Sequence, residues 1–478
     1  MISFCLQRER WLPLPAALAA WGCIEQAGPV LGDTPRPPTP DPVPPLPTAD
    51  QLAWQMQELS AFFHFGTNTF TDQEYGDGTA SPTVFNPSGL DATQWMTTLR
   101  NAGFRLALLS AKHHDGFCLW PSRCTTYSVA ASLWLGGQGD VIRQFVDAAH
   151  QANIRVGLAL SPWDRHEPTF GTAAYYGVFE CQLTELLTQY GTIDELWLWG
   201  ISAPTAPDFD WNDVYRLVRR LQPHALINMG PEIAVASVDL RGVGYGFAIA
   251  PADETSVQAG PGGTIDKPVW FPAEATYSIR PNWFWHATED TQLKTLNQLI
   301  DIYYDSVGRN SVLLLNVPPN AVGLLPSADV AELDQFGAAI RSIYQSNVVA
   351  GRPASADSVF EDAPDHQASM AVDGKIDTFW AAGEGTSSAR IEFDLGAPRA
   401  FNVVSIQEPI ALGERVREHR VEAKTNGVWT TIAGGTAIGH RKLHRVGATS
   451  ASAVALVITQ ARGVPVIAEF GAYQSPFP

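Results

Sequence analysis

Between about residues 51 and 341 the chain alternates short runs of β-branched and aromatic residues with longer segments apolar at every third or fourth position. The runs at 61–66, 105–111, 155–161, 195–200, 225–229, 269–273 and 311–317 predict strands, and the segments 140–152 and 179–190 predict amphipathic helices between them. Strands that alternate with helices belong to parallel sheets, and seven or eight such units in roughly 290 residues fit an α/β fold of the (β/α)8 type, a TIM-like barrel. The strand ends of such a barrel share one rim, so a carboxylate or imidazole placed there faces a common site. Past a junction at 346–353 the period drops to two, with runs at 389–395, 401–406, 420–423, 428–432 and 453–458. That spacing predicts an all-β sandwich of about 125 residues, long enough to fold alone. The expected organisation is a leader and Pro-rich linker over 1–48, the barrel over 49–345 and the sandwich over 350–478.

Composition narrows the class. With 31 basic and 49 acidic residues in 478, the net charge of −18 excludes the basic surface of a nucleic-acid binder. Hydrophobic residues at 45% and charged residues at 17% describe a core-rich globular chain. Arg8 and Arg10 precede an apolar run at 11–22 that has the charge order of a secretory signal but contains Pro13 and Pro15, so the chain is expected to be secreted or periplasmic. No later stretch reaches the ~18 uninterrupted apolar residues of a membrane-spanning helix. Eight of the fifteen residues from Thr34 to Thr48 are proline, which predicts an extended spacer, with folding expected to start near Gln51. Five cysteines are too few for a disulfide framework, although Cys118 and Cys124 are close enough to be bridged and each is equally well read as a buried thiol.

The richest chemistry falls at the ends of the first predicted strands: His64, then Glu74-Tyr75, then Lys112-His113-His114-Asp115, then Ser161-Pro162-Trp163-Asp164-Arg165-His166. Imidazoles, carboxylates and indoles on one rim suit a sugar, whose hydroxyls need donors and acceptors and whose C–H faces stack on aromatics. A metal is not expected, because adjacent histidines on a strand point to opposite faces and no third ligand accompanies them at the usual spacing. No cofactor is expected either.

Five long motifs carry a family resemblance: His64-Phe65-Gly66 with Asn68-Thr69-Phe70-Thr71; Lys112-His113-His114-Asp115-Gly116-Phe117-Cys118-Leu119-Trp120-Pro121-Ser122; Leu160-Ser161-Pro162-Trp163-Asp164-Arg165-His166; Ser278-Ile279-Arg280-Pro281-Asn282-Trp283-Phe284-Trp285-His286; and Ser306-Val307-Gly308-Arg309-Asn310 with Leu313-Leu314-Leu315-Asn316-Val317-Pro318-Pro319-Asn320. Together they resemble the α-L-fucosidase family of glycoside hydrolases, especially its plant-like branch, from about Gln51 to the C-terminus. The end of the chain, with Ala371-Val372-Asp373-Gly374, Thr378-Phe379-Trp380 and Phe393-Asp394-Leu395-Gly396, is similar to the discoidin-like sandwich that follows the barrel in that family. The resemblance implies a fucosylated oligosaccharide or glycan as partner, removal of terminal α-L-fucose with retention, and no metal. It also implies that His64, Glu74, His113 and His114 bond the fucose hydroxyls, that Trp163 and Trp197 line the pocket, and that Tyr75 stands where the family usually has Trp.

One departure decides how the resemblance is read. Retaining hydrolysis needs two carboxyl groups about 5–5.5 Å apart. The family's nucleophile is the Asp of a Trp-Phe/Leu-Asp-Gly strand end, and the matching run here is Trp197-Leu198-Trp199-Gly200. An indole has no basic lone pair and forms no glycosyl ester. Asp194 lies five residues upstream, over ~15 Å away along a strand. The general acid/base position falls best on Asp239, equally readable as an ordinary loop acid, while Glu274 matches a family acid near the pocket and is expected at the rim. Two functions follow: a fucoside-binding pseudoenzyme, or a working α-L-fucosidase with a relocated carboxylate such as Asp164, Asp239 or Glu274.

Overall fold

The computed structural model describes residues 38–198, 211–228, 243–247, 257–258 and 269–477. Eight parallel strands close into a barrel: β1 (Leu59–Phe63), β2 (Leu106–Lys112), β3 (Arg155–Leu160), β4 (Glu195–Trp197), β5 (Leu226–Asn228), β6 (Val243–Phe247), β7 (Ala273–Ser278) and β8 (Val312–Asn316). β1 pairs with both β2 and β8, which closes the cylinder. Alternation along each strand sorts the side chains into two populations. Phe62, Leu106, Leu108, Ala159, Leu226, Val312 and Leu314 form one cluster with Trp54 and Trp197. Ala61, Phe63, Ala107, Leu109, Val156, Leu158, Leu196, Ile227, Leu313 and Leu315 pack in another with the surrounding helices. The first set fills the barrel, and Trp54, from the helix Ala49–Gln55, reaches it to donate its indole N–H to Glu195 at 2.9 Å.

The barrel expected from the sequence is present, with two local differences. The segment predicted at 269–273 is not a barrel strand: Val269–Trp270 pairs antiparallel with Val257–Gln258, and the barrel strand begins at Ala273. Val243–Phe247 was not predicted, because Val-Gly-Tyr-Gly-Phe carries no apolar run. In the C-terminal part the runs at 389–395 and 401–406 are one strand, Ala389–Gln407, whose pairing shifts register between Asp394 and Arg399. The Gly396-Ala397-Pro398 sequence that reads as a turn is absorbed as an irregularity within it.

The second half of the Pro-rich stretch does not stand free as a spacer. Val43 N–H donates to Leu412 O at 2.9 Å, and the Asp41 carbonyl accepts from Arg415 Nη2 at 2.7 Å. A proline-rich chain offers few N–H groups but all of its carbonyls, so an arginine of the sandwich is a suitable anchor. The barrel and sandwich are joined through Glu58, just before β1, whose carboxylate accepts from His440 Nε2 at 2.9 Å and Arg441 Nε at 2.6 Å. Gly439 sits beside this contact at φ +61°, where a Cβ would fall 2.2 Å from the Asn310 side chain, so no other residue fits. Burial alone would raise the Glu58 carboxyl, but Arg441 and His440 outweigh it and hold it at about 2 instead of the ordinary 4.5. A depressed carboxyl stabilises the fold above its unfolded value and ceases to as pH falls through the folded one. Glu58→Gln is therefore expected to cost about 2 kcal/mol in denaturant unfolding at neutral pH, with the gap to wild type narrowing between pH 4.5 and about 2.

The cysteines pair differently from the sequence expectation: Cys124 is bridged to Cys181, 57 residues away, and Cys118 is a buried free thiol. Sequence proximity is a poor guide here, because the helix Tyr175–Gln189 returns over the loop that follows β2 and brings Cys181 to it. Among the described residues no helix is long and apolar enough to cross a membrane.

Candidate active site

β1 and β8 carry one group of the candidate residues. His64 follows Phe62 in the inward series, with ring centroids 4.3 Å apart, and its Nδ1 lies 2.7 Å from Asn316 Oδ1. Asn316 Nδ2 donates to Ser278 Oγ at 2.9 Å and to the Trp283 carbonyl at 2.8 Å. That fixes Oδ1 as the acceptor, so His64 carries its proton on Nδ1 and its lone pair on Nε2. Burial drops the His64 imidazole to about 4, so it is neutral at physiological pH.

β2, paired to β1, carries the next group. His113 and His114 lie beyond its last residue, Lys112, so the strand rule that sends neighbours to opposite faces does not govern them. Their rings are side by side, with centroids 4.3 Å apart, and the His113 ring is 5.7 Å from that of His64. The His114 Nδ1 is 2.6 Å from Ser161 Oγ, which also accepts the Trp163 backbone N–H at 3.0 Å. Burial, then the nearby Arg165, hold His114 at about 3, and burial with the neighbouring His114 pushes His113 well below the usual range. Trp163 packs 5.1 Å from His114 and keeps its own indole N–H buried without a partner. Tyr75 is 56% exposed and lies parallel to the His114 ring, with centroids 6.1 Å apart. Among the described residues, one trio of His, Cys, Asp or Glu side chains is close enough to share a metal, Cys124, Cys181 and Glu185, and its two sulfurs are bonded to each other.

The carboxylates each find protein partners of their own. Both Glu74 oxygens accept backbone amides, from Trp283 at 2.7 Å and Phe284 at 3.0 Å, so Glu74 holds a wall of the pocket. Asp164 is buried, with Oδ2 3.2 Å from Lys112 Nζ and Oδ1 accepting the amides of His166 and Glu167 at 3.1 and 2.9 Å. A Cβ on Gly116, at φ +92°, would collide with it at 2.1 Å. Glu274 is not at the rim. It pairs in register with Val312, the first residue of β8, and lies four residues, about 13 Å, before the level of Asn316. Its Oε2 accepts from Trp197 Nε1 at 3.1 Å and Asn228 Nδ2 at 2.6 Å. Burial, then repulsion from Glu195, raise it well above the ordinary range. Trp197 caps that layer, packed edge-on to Phe62 at 5.2 Å. Asp194, bonded to Arg155 and the Val156 amide, lies at the other end of the barrel. Trp199 and Asp239 fall outside the described residues. The sequence reading missed Asn316, Ser161 and His286 as supports, although all three stand within its quoted motifs.

A closed parallel barrel with neutral imidazoles, indoles and a tyrosine gathered beyond its strand ends offers the mix of hydroxyl partners and apolar faces that suits a sugar. The sequence profile described as Alpha-L-fucosidase matches residues 43–342, and that described as F5/8 type C domain matches residues 353–470. The chain belongs to the alpha-L-fucosidase family. It is 42% identical to Putative alpha-L-fucosidase 1 of Oryza sativa subsp. japonica over 92% of this chain and 87% of the relative. It is 38% identical to Alpha-L-fucosidase 1 of Arabidopsis thaliana over 92% of this chain and 90% of the relative. Among solved structures, a putative alpha-L-fucosidase from Bacteroides thetaiotaomicron superposes with a TM-score of 0.84 at 36% identity, covering 92% of this chain and all (100%) of the other. A Ruminococcus gnavus fucosidase in complex with fucose superposes with a TM-score of 0.84 at 31% identity, covering 92% and 97%.

Proposed function

We propose that the protein recognises terminal α-L-fucosyl residues of glycans in the pocket between His64, His113, His114 and Trp163, and that it hydrolyses them poorly because Trp199 stands at the nucleophile position. The observation that carries the recognition half is the grouping of neutral imidazoles with the unpartnered Trp163 indole N–H, a set of donors and acceptors matched to hydroxyls rather than to charge. The turnover half rests on the sequence, in which Trp199 follows Trp197 by two. It is supported by the engagement of Glu74 with amides, of Asp164 with Lys112 and of Glu274 beneath Trp197, which leaves none of these three poised as a relocated nucleophile. The disulfide Cys124–Cys181 supports an extracytoplasmic location, where such bonds persist.

Calorimetric titration with methyl α-L-fucoside tests recognition, and release of nitrophenol from 4-nitrophenyl α-L-fucoside tests turnover. Binding with negligible release is expected. No binding would remove the recognition reading. Sustained release by the wild type would favour the second reading, a working fucosidase, which the names of the plant relatives suggest.

A further inference from the structure

Glu74 is held by one more group than the two amides. His286 lies between two acids, its Nδ1 2.7 Å from Asp72 Oδ1 and its Nε2 3.4 Å from Glu74 Oε2. Both ring nitrogens face carboxylate oxygens, and only the imidazolium has a donor on each. The chain of contacts then runs inward without a break. Glu74 fixes the amides of Trp283 and Phe284, the Trp283 carbonyl accepts from Asn316 Nδ2, and Asn316 Oδ1 accepts the His64 Nδ1 proton. The rings of Trp283 and Phe284 sit 5.4 and 5.5 Å from that of His64, and Phe284 stands edge-on to His113 at 4.9 Å. The segment that these bonds hold is therefore also a wall of the pocket.

We propose that His286 is a positioning residue for the fucoside pocket: bridging Asp72 and Glu74 as an imidazolium, it holds the Trp283–Phe284 segment that orients His64. This rests on the fucoside reading above. The groups facing His286 are Asp72 and Glu74 from the segment after β1 and Glu289 from its own loop. Burial would discharge the ring, but the hydrogen bonds to Asp72 and Glu74 outweigh it and raise its pKa above 6.5. A raised imidazole is fully charged below its unfolded value and loses its proton as pH rises through the folded one. The pocket imidazoles His64 and His114, held at about 4 and about 3, do not change charge in that window. Alkaline loosening of the pocket is thus assigned to His286.

The test follows methyl α-L-fucoside affinity from about pH 5 to about pH 9 in wild type, His286→Ala and Asp72→Asn. The Asp72 side chain is 71% exposed, so its replacement leaves the fold intact. Wild-type affinity is expected to fall with rising pH, with the midpoint moved to lower pH in Asp72→Asn. In His286→Ala binding is about tenfold weaker at low pH, the size of one charge-assisted hydrogen bond, and flat with pH. Superimposable pH profiles for wild type and Asp72→Asn, with His286→Ala within twofold, would overturn the proposal. Ring-nitrogen NMR decides it without ligand. The His64 Nδ1–H signal is expected to be well ordered in wild type at low pH and averaged in His286→Ala, and a signal that stays sharp in the variant refutes the relay. If no protein binds fucoside, the functional reading fails while the ring spectra still judge the relay.

Discussion

Trp199→Asp is expected to raise release of nitrophenol from an aryl α-L-fucoside by about 10³-fold over wild type, equivalent to ~4 kcal/mol of barrier at ~1.4 kcal/mol per tenfold. The size follows from what the position must do. In retaining hydrolysis a carboxylate attacks the anomeric carbon to form a glycosyl ester, which water then cleaves. An indole nitrogen has its lone pair in the ring π system and cannot make that bond. Nitrophenolate is a good leaving group that needs little protonation, so this substrate reads the nucleophile with the acid side of the site largely removed. Trp199→Gly provides a second reading, since azide entering the vacated space would give β-L-fucosyl azide where wild type gives none. Equal turnover by wild type and Trp199→Asp would refute the pseudoenzyme reading. Inactivity of both would shift the deficit to the Asp239 region.

The second large effect is one of stability. Lys112→Met is expected to cost about 3–5 kcal/mol, because it leaves Asp164 buried without its cation. Lys112 is fully buried at the end of β2 and donates to Asp164, Tyr175 and Gln182 at 3.2, 3.0 and 2.8 Å. Burial works against its charge, yet Tyr175 and Asp164 more than compensate and keep it protonated. Replacing both partners with apolar residues of similar size, Lys112→Met with Asp164→Leu, is expected to recover part of the loss, since neither charge then remains unpaired. Urea unfolding at neutral pH measures both. A Lys112→Met loss under about 1 kcal/mol would show that the pair is solvated and that Asp164 is not committed to structure. Lys112 immediately precedes His113 and His114, so the same variant is expected to weaken fucoside binding even where it remains folded.

The fold was legible because its signal is local. The runs of five to seven residues at 59–63, 106–112, 155–160 and 312–316 are buried on both faces apart from the half-buried Arg155, and the sequence shows this directly as predominantly apolar stretches. Val243–Phe247 carries no strand signal in the sequence because two of its five residues are glycine and its place in the sheet comes from pairing with β5 and β7. The long strand Ala389–Gln407 was divided for the converse reason. Its Gly-Ala-Pro insert carries every local mark of a turn, and only pairing with the strand Lys442–Ala461 on both sides of the irregularity keeps it one strand.

The sequence by itself determined the residue types at the rim, the indole at position 199 and the family that both belong to, because motif order and side-chain chemistry are properties of the chain. Tertiary structure alone decided which of those residues face the pocket. Glu74, Asp164 and Glu274 are equivalent in the sequence as acids near strand ends. In space one holds amides, one neutralises a buried lysine and one lies four residues below the level of Asn316. The difference arises because a carboxylate's role is set by the partners within about 3 Å of its oxygens, and those partners are 209, 52 and 77 residues away along the chain.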